Sequence, residues 1–186
     1  MYVDGDGSGL SFRSYDDLLF IGSGSHRTGK PSRAWEDAKQ LAKCYYPDSK
    51  IKYQWAAQDC MTLDGIPYIG EYSKVVPYMY VATGFNKWGM TSAMVAADII
   101  ADLVCGKKNE FADVFTPSRS IFKKQLAVNL IETTAYLLRP TAPRCSHLGC
   151  ALKWNKNEHT WDCSCHGSRF DKSGNLIDNP ATKGLK

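Results

Sequence analysis

The chain has 186 residues, of which 44% are apolar and 23% charged, and its formal net charge at pH 7 is +4. This composition is typical of a globular protein with one ordinary domain, or with one and a smaller second domain. The lysines and arginines are scattered instead of forming basic runs, which argues against nucleic acid binding.

Membrane insertion and secretion are not expected either. The longest apolar-leaning segment, residues 120–138, is interrupted by Lys123, Lys124 and Glu132, so we expect no transmembrane segment. The N-terminal residues lack the basic stretch followed by an apolar one that marks a secretory signal. We therefore expect a cytoplasmic protein.

The hydrophobic pattern predicts a mixture of short strands and helices. We predict three strands and three helices: strands at 17–22, 50–56 and 78–83, and helices at 32–46, 92–106 and 120–138. Pro47 ends the first helix and Gly106 ends the second. The second helix is expected to bury one stripe of apolar residues, namely Ala93, Ala97, Ile100, Ala101 and Val104.

Cysteine and histidine residues carry the chemistry of the chain. The segments RCSHLGC (144–150) and WDCSCHGSRF (161–170) hold four of the seven cysteines and two of the four histidines. Such clustering, in a chain without a recognisable secretory signal, favours metal or redox chemistry over a general disulfide framework. His159 fits no ligand position and is expected in a solvent-facing loop.

The spacing of these residues is typical of an iron–sulfur centre. Cys145 and His147 lie two positions apart, and Cys163 and His166 three apart, so each pair can reach one iron from a single loop. In a Rieske [2Fe–2S] centre, two cysteine thiolates hold one iron and two histidine imidazoles hold the other. The sequence therefore predicts one cysteine and one histidine ligand from each of two loops.

A structural Cys2His2 zinc site would use the same ligand types. It gives no reason for two additional cysteines, Cys150 and Cys165, or for the glycines that let backbone amides approach sulfur. A zinc-stabilised binding domain is the remote alternative.

The motifs CSHLGC and CSCHGS closely resemble the Rieske family, in the form found in cytochrome bc-type complexes. The resemblance implies that Cys145, His147, Cys163 and His166 are the cluster ligands. It also implies a Cys150–Cys165 disulfide beside the cluster.

Two neighbouring positions are expected to tune the cluster. Ser168 can donate a hydrogen bond to a bridging sulfide and so stabilise the reduced cluster. Phe170 occupies the place where high-potential members of the family have a tyrosine, so we expect a potential below the top of the ~−150 to +300 mV Rieske range.

The first 119 residues resemble a second family. The segments WAAQDCMTLDGIPYIG (55–70), YVATGFNKWGMTSAMVAADIIADLVCGK (80–107) and FTPSR are similar to the C-terminal part of FAD-dependent oxidoreductases of the D-amino-acid oxidase (DAO) and glycine oxidase family, a subgroup of which has a C-terminal Rieske domain. The resemblance implies flavin contacts along the loop after the third strand: Gly84, Phe85, Asn86, Lys87, Trp88, Gly89, Met90 and Thr91.

The sequence signals for substrate contacts are less specific than those for the flavin contacts. We name His26, Arg27, Trp55 and Asp59, of which the first two could bind a substrate carboxylate. The alternative is an ordinary loop around His26 and Arg27, a core tryptophan at position 55 and a surface carboxylate at position 59.

Together these resemblances predict an α+β (mixed) fold in three parts. Residues 1–119 are expected to be the C-terminal part of a DAO-type FAD and substrate domain, and residues 120–140 an amphipathic linker helix. Residues 141–186 are expected to form a reduced Rieske cluster-binding domain of short β-strands and loops.

The family's Rossmann-type FAD-binding segment is missing from this sequence, so we expect a C-terminal fragment that holds FAD only as part of its full-length parent. The parent is expected to oxidise an amine or amino-acid-like small molecule with FAD. The cluster would pass electrons singly to or from an unidentified one-electron acceptor or donor. The alternative is an electron-transfer module without catalysis of its own.

Overall fold

The computed structural model describes residues 2–3, 10–140 and 143–185 of the chain. The predicted domain limits at residues 1, 141 and 186 lie outside the described residues. Within the described part the elements follow in this order: β1 (Tyr2–Val3), β2 (Ser11–Tyr15), β3 (Leu18–Gly22), α1 (Ala34–Tyr45), β4 (Tyr68–Ser73), β5 (Val76–Thr83), α2 (Gly89–Val104), α3 (Ala112–Phe115), α4 (Lys124–Leu138), β6 (Leu152–Asn155), β7 (Thr160–Cys163), β8 (Arg169–Asp171) and β9 (Leu176–Asp178).

The chain divides into two compact units. The first joins Met1–Ala56 to Thr133–Lys186, and the second is Ala57–Glu132. The division falls inside α4.

The predicted mixed α+β class is confirmed.

The first unit contains two antiparallel sheets. Strands β1, β2 and β3 form one sheet, in which a two-residue turn joins β2 to β3 at Asp16, whose φ is +49°. Strands β6, β7, β8 and β9 form the other sheet as a meander, in which each strand pairs with the next. This meander corresponds to the predicted Rieske cluster-binding domain of short β-strands and loops.

The meander brings two loops together. We call residues 145–150, which lead into β6, the first ligand loop, and residues 163–168, which join β7 to β8, the second ligand loop. Leu152 at the start of β6 pairs with Cys163 at the end of β7. Because antiparallel partners run in opposite directions, both loops emerge at the same end of the β6–β7 pair.

Cysteines form much of the core around these loops. The buried cluster of the meander consists of Tyr136, Cys145, Cys150, Ala151, Leu152, Cys163, Phe170 and Ala181. Such a small apolar core contributes only a modest burial free energy to this part of the unit.

The second unit packs α2 against a β-hairpin. Strands β4 and β5 are antiparallel partners, and Ile69 on β4 meets Ala96 and Ile99 on α2 in a small buried core. None of the helices in the described residues is both long and apolar enough to span a bilayer.

Two predictions about the elements are wrong. Residues 50–56 form no strand, because they pair with no other strand in the described chain, and Tyr53 is 75% exposed. Helix α2 buries a different stripe from the predicted one: Ala96 and Ile99 are buried while Ala93, Ala97, Ala101 and Val104 are exposed. The helix is apolar on nearly every side, so its periodicity does not select a face.

Candidate metal centre

The first ligand loop is closed by its own backbone. The amide of Cys145 donates to the carbonyl of Cys150 at 2.9 Å, and the amide of Gly149 donates to the carbonyl of Cys145 at 2.9 Å. Gly149 has a φ of +77°, which glycine adopts without steric cost. The C-x-x-x-G-C spacing thus folds into a tight closed loop.

The second ligand loop repeats this pattern. The amide of Cys163 donates to the carbonyl of Ser168 at 2.9 Å, and the amide of Gly167 donates to the carbonyl of Cys163 at 3.0 Å. Gly167 also has a positive φ, of +89°. The two motifs therefore present their first cysteine from equivalent backbone positions.

Side chains fasten the first loop to its surroundings. The guanidinium of Arg144 donates to the carbonyls of Leu137 and Gly149, both at 3.0 Å, and so ties the loop to the C-terminal end of α4. The hydroxyl of Ser146 donates to the carbonyl of Lys183 at 2.6 Å. These bonds limit the motion of a segment that would otherwise be a mobile loop.

The four predicted ligands lie in two pairs. The thiols of Cys145 and Cys163 are hydrogen-bonded to each other and are almost fully buried. The imidazoles of His147 and His166 are exposed, with ring centres 5.0 Å apart and ring planes at 85°. A buried sulfur pair and a solvent-facing imidazole pair fit the two irons of a His/Cys-ligated [2Fe–2S] cluster.

The local electrostatics also suit metal binding. The hydrogen bond with Cys163 is the main cause that raises the pKa of Cys145, and burial adds to it. The same bond lowers the pKa of Cys163, which also accepts hydrogen bonds from the amides of His166 and Cys165. Partial desolvation lowers the pKa of His166 although its ring reaches solvent, and the charges of His147 and Arg27 lower it further. A neutral imidazole is the form that binds a metal.

Cys150 and Cys165 lie beside this pair. The sulfur atoms of Cys150, Cys163 and Cys165 are within 4.8 Å of one another, and in the structure all three are thiols. Burial and the neighbouring Cys150 thiol raise the pKa of Cys165 to about 12. A disulfide needs sulfur atoms about 2.0 Å apart, so the Cys150–Cys165 bond stays a prediction.

Ser168 and Phe170 flank the sulfur pair, and both are completely buried. The Ser168 hydroxyl oxygen accepts a hydrogen bond from the amide of Ala181 at 2.9 Å, and the hydroxyl is within reach of the Cys145 sulfur. Its proton is thus available to a sulfur acceptor. Phe170 lies in the apolar core of the meander and has no polar atom to offer.

One further histidine lies apart from the ligand loops. His159 lies between β6 and β7 with an exposed ring 6.2 Å from the Trp154 ring, as expected for a loop residue.

The second unit contains a cleft of about 620 Å³. Six of the eight predicted flavin contacts line it: Gly84, Phe85, Asn86, Lys87, Gly89 and Met90. The predicted contacts Trp88 and Thr91 are at the start of α2 without lining the cleft. The volume lies within the range of small-molecule and cofactor sites.

A tight turn shapes one wall of this cleft. The amide of Trp88 donates to the carbonyl of Phe85 at 2.8 Å, and the two residues between them, Asn86 and Lys87, have φ values of +47° and +72°. These values define a type I′ turn. A left-handed conformation is unusual for lysine, and such strain is concentrated at functional sites.

The Asn86 side chain joins the turn to the loop before β4. Its amide oxygen accepts from the backbone amide of Thr62 at 3.2 Å, and its amide nitrogen donates to the carbonyl of Gly65 at 2.7 Å. Gly84 has a φ of +71°, and a Cβ there would come within 2.3 Å of the Thr62 methyl group. Glycine is therefore required at this position.

The N-terminal end of α2 carries a partial positive charge from the helix dipole. No side chain among the described residues caps the helix at Trp88, so its first amides are available to a ligand. The cleft, the strained turn and the helix end together fit the pyrimidine part of a flavin, which carries negative charge when reduced.

The four substrate candidates do not fall in one unit. His26, Arg27 and Trp55 belong to the first unit, whereas Asp59 lines the cleft of the second. His26 donates from Nδ1 to the Gly24 carbonyl at 2.9 Å, and Trp55 packs edge-on against Phe20 at 5.9 Å. Their role as substrate contacts stays a prediction.

Sequence reasoning missed a buried arginine below the second ligand loop. Arg169 forms ion pairs with Glu158, with Asp162 at 3.3 Å and with Asp178 at 3.5 Å. It therefore ties β8 to the neighbouring strands directly beside Cys163. The only signal in the sequence was an arginine within an otherwise buried strand.

Comparison with known proteins agrees with this arrangement. Residues 1–103 match the family model for FAD dependent oxidoreductases, abbreviated DAO, and residues 104–186 match the model for the Rieske [2Fe-2S] domain. Both resemblances predicted from the sequence are confirmed.

Two relatives match different shares of the chain. A Bacillus subtilis (strain 168) protein described as a Rieske 2Fe-2S iron-sulfur protein, YhfW, is 34% identical across 100% of this chain and 46% of its own length. Iron–sulfur subunit 1 of the cytochrome b6-f complex of Nostoc sp. (strain PCC 7120 / SAG 25.82 / UTEX 2576) is 46% identical over 41 residues, which are 22% of this chain and 23% of the subunit. The chain spans less than half the length of these relatives. It belongs to the FAD-dependent oxidoreductase family and carries a Rieske [2Fe–2S] domain.

Proposed function

We propose that this chain transfers single electrons between a flavin site and an external redox partner through a [2Fe–2S] cluster. The ligands in this proposal are Cys145 and Cys163 on one iron and His147 and His166 on the other. The observation that carries it is the pairing of a buried thiol pair with an exposed imidazole pair on two equivalent loops. The cluster supplies a reversible one-electron change when bound.

The protein around the centre supports this role in three ways. The backbone amides of His147 and His166 donate to the cysteine sulfurs and so favour the thiolates that bind iron. Ser168 keeps a hydroxyl proton available beside Cys145. The exposed imidazoles give a redox partner a short path to the histidine-bound iron.

The flavin half of the proposal depends on the cleft of the second unit. We propose that the turn at Asn86 and Lys87 and the uncapped start of α2 bind the pyrimidine edge of FAD, within a longer protein that includes this chain. The substrate is proposed to be an amine or amino-acid-like molecule, which gives two electrons as a hydride. Two one-electron steps through the cluster would then return the flavin to its oxidised form. A cytoplasmic location and a domain boundary at the linker helix, residues 120–140, are part of the same proposal.

The cluster assignment is tested by metal analysis of protein purified without oxygen. We expect about two irons and two sulfides per chain, with a rhombic EPR signal after dithionite reduction whose average g value lies below that of all-cysteine clusters. His147→Ala should abolish the signal, whereas His159→Ala, at a loop histidine outside the centre, should leave it unchanged. Stoichiometric zinc without an EPR signal would overturn the proposal.

Coupling to the flavin is tested separately in the full-length protein. Anaerobic addition of a substrate amine or amino acid should bleach the flavin and then reduce the cluster. Bleaching with a cluster that stays oxidised would contradict the coupling.

A second function is favoured by one observation. The chain spans less than half of its relatives, so by itself it is proposed to act as an electron-transfer module without catalysis. An intact cluster with no substrate turnover in the 186-residue chain would support this description, whereas turnover would exclude it.

A further inference from the structure

A segment far from the ligand motifs in sequence lies directly against the second ligand loop. Gly29 approaches Ser164 so closely that a Cβ on Gly29 would come within 2.3 Å of the Ser164 hydroxyl oxygen and 3.1 Å of its amide nitrogen. Gly29 also has a φ of +69°, a conformation that glycine adopts readily. Ser164 is buried and lies between Cys163 and Cys165. The two backbones are therefore in direct contact beside the cluster ligands.

The same segment makes a further contact with the core of the meander. The Lys30 ammonium lies 5.9 Å from the centre of the Tyr136 ring, within the range of a cation–π interaction. The amide of Lys30 donates to the carbonyl of Arg27 at 3.0 Å, so a turn holds Arg27 and Lys30 together. All of these residues belong to the first unit.

The turn also brings a positive charge close to the centre. Arg27 is half-buried and lies two residues before Gly29, whose backbone contacts Ser164 between Cys163 and Cys165. Charges that are partly removed from water interact more strongly than exposed ones. A fixed cation at this place would favour the reduced cluster, which carries one more negative charge than the oxidised one.

We infer that residues 24–30, contributed by the part of the chain that matches the FAD-dependent oxidoreductases, form a third wall of the Rieske centre, and that Arg27 in this wall raises the reduction potential of the cluster. The inference rests on the proposed function, because it requires the cluster at the two ligand loops. Arg27 acts on the cluster through its charge without binding it. Gly29 permits the wall to approach the second ligand loop closely.

The inference is tested by the midpoint potential of the cluster, followed by EPR during a redox titration. Arg27→Gln is expected to disfavour reduction fivefold to tenfold, a fall of ~40–59 mV for a one-electron couple. Arg27→Lys, which keeps the charge, should stay close to the unsubstituted protein. The control is Arg33→Gln, because Arg33 is highly exposed and pairs at 3.9 Å with Asp37 on the surface of α1.

A second variant tests the wall without changing a charge. Gly29→Ala should push the segment away from Ser164 and speed the loss of iron to a chelator several-fold. Gly65→Ala is the matched control, because Gly65 has a similar φ of +76° but open space around it. The Gly65→Ala substitution imposes the same kind of backbone strain without contacting the cluster ligands.

The outcomes separate the inference from the proposed function. A cluster with unchanged potential in Arg27→Gln, or with unchanged iron loss in Gly29→Ala, would overturn the inference alone. Absence of a His/Cys-ligated cluster in the unsubstituted protein would overturn both.

Discussion

Arg119 holds Asp64 in a two-bonded ion pair inside the second unit. Its Nε and one terminal nitrogen each lie 2.9 Å from a carboxylate oxygen of Asp64, and the guanidinium stacks 3.7 Å from the centre of the Tyr68 ring. The same guanidinium donates to the carbonyl of Pro67 at 3.0 Å. One side chain thus fixes the loop that leads from the cleft into β4.

Replacing this arginine should destabilise the second unit. Both side chains of the pair are only 12% exposed, so Arg119→Met removes the main partner of the Asp64 carboxylate, which keeps only Lys123 at 3.8 Å and the Ile66 amide at 3.3 Å. We expect a cost on the order of 3 kcal/mol in the free energy of unfolding. Arg33→Met, which breaks an exposed pair on α1, should cost less than about 1 kcal/mol. Urea unfolding measures both values, and equal losses would contradict the prediction.

The same pair predicts an acid-dependent loss of stability. The hydrogen bond from Arg119 holds the pKa of Asp64 well below its ordinary value of 3.8. A lowered pKa in the folded state contributes stability that is complete above the unfolded value and is lost as the pH falls below about 4.

Unfolding between pH 6 and pH 3 checks this contribution. The unsubstituted protein should lose up to about 1.4 kcal/mol per pH unit more than Asp64→Asn in the acid range. In Arg119→Met this extra slope should become smaller, since the main group that lowers the pKa is gone while the Ile66 amide and Lys123 still lower it. An identical slope in all three proteins would exclude Asp64 as its source.

Local patterns predicted the three longest helices, two of the strands and the two cysteine- and histidine-bearing segments. Helices α1, α2 and α4 and strands β3 and β5 lie where periodicity and stop residues place them, with shifts at their ends. The ligand motifs could be identified because cysteine, histidine and glycine recur at fixed short spacings within one loop. Residues this close in sequence stay close together in the folded chain.

Relationships between distant segments could not be predicted in this way. Nothing in the sequence indicates that Gly29 meets Ser164, or that Arg119 reaches Asp64, because neither pair shares an element or a period. Residues 50–56 alternate like a strand but have no partner strand among the described residues, and a strand without hydrogen-bonded neighbours does not form.

The hydroxyl of Ser168 should raise the cluster potential. Because its oxygen already accepts from the Ala181 amide, its proton can be donated to sulfur, which stabilises the reduced cluster. Ser168→Ala should therefore lower the midpoint potential, measured by redox titration. Ser146→Ala is the control, since the Ser146 hydroxyl donates to the Lys183 carbonyl instead. Equal shifts in the two variants would contradict a hydrogen bond to the cluster.

Phe170 should keep the potential below the top of the Rieske range. Phe170→Tyr adds a hydroxyl in a completely buried position, where the family resemblance places a donor to a ligand cysteine sulfur. We expect the midpoint potential of this variant to rise above that of the unsubstituted protein. Phe111→Tyr, at an exposed position of the second unit, should leave it unchanged. A potential that falls in Phe170→Tyr would show that the added hydroxyl does not reach the sulfur.

The Cys150–Cys165 disulfide can be settled by counting thiols. The chain has seven cysteines, so protein unfolded without reductant and stripped of iron should show five reactive thiols if the bond is present and seven if it is absent. We expect five, because Cys150 and Cys165 have sulfur atoms within 4.8 Å and lie in loops that the meander holds side by side. Cys165→Ser should then show six, since it frees Cys150, whereas Cys44→Ser should show four. Seven thiols in the unsubstituted protein would leave the two cysteines as packing residues of the core.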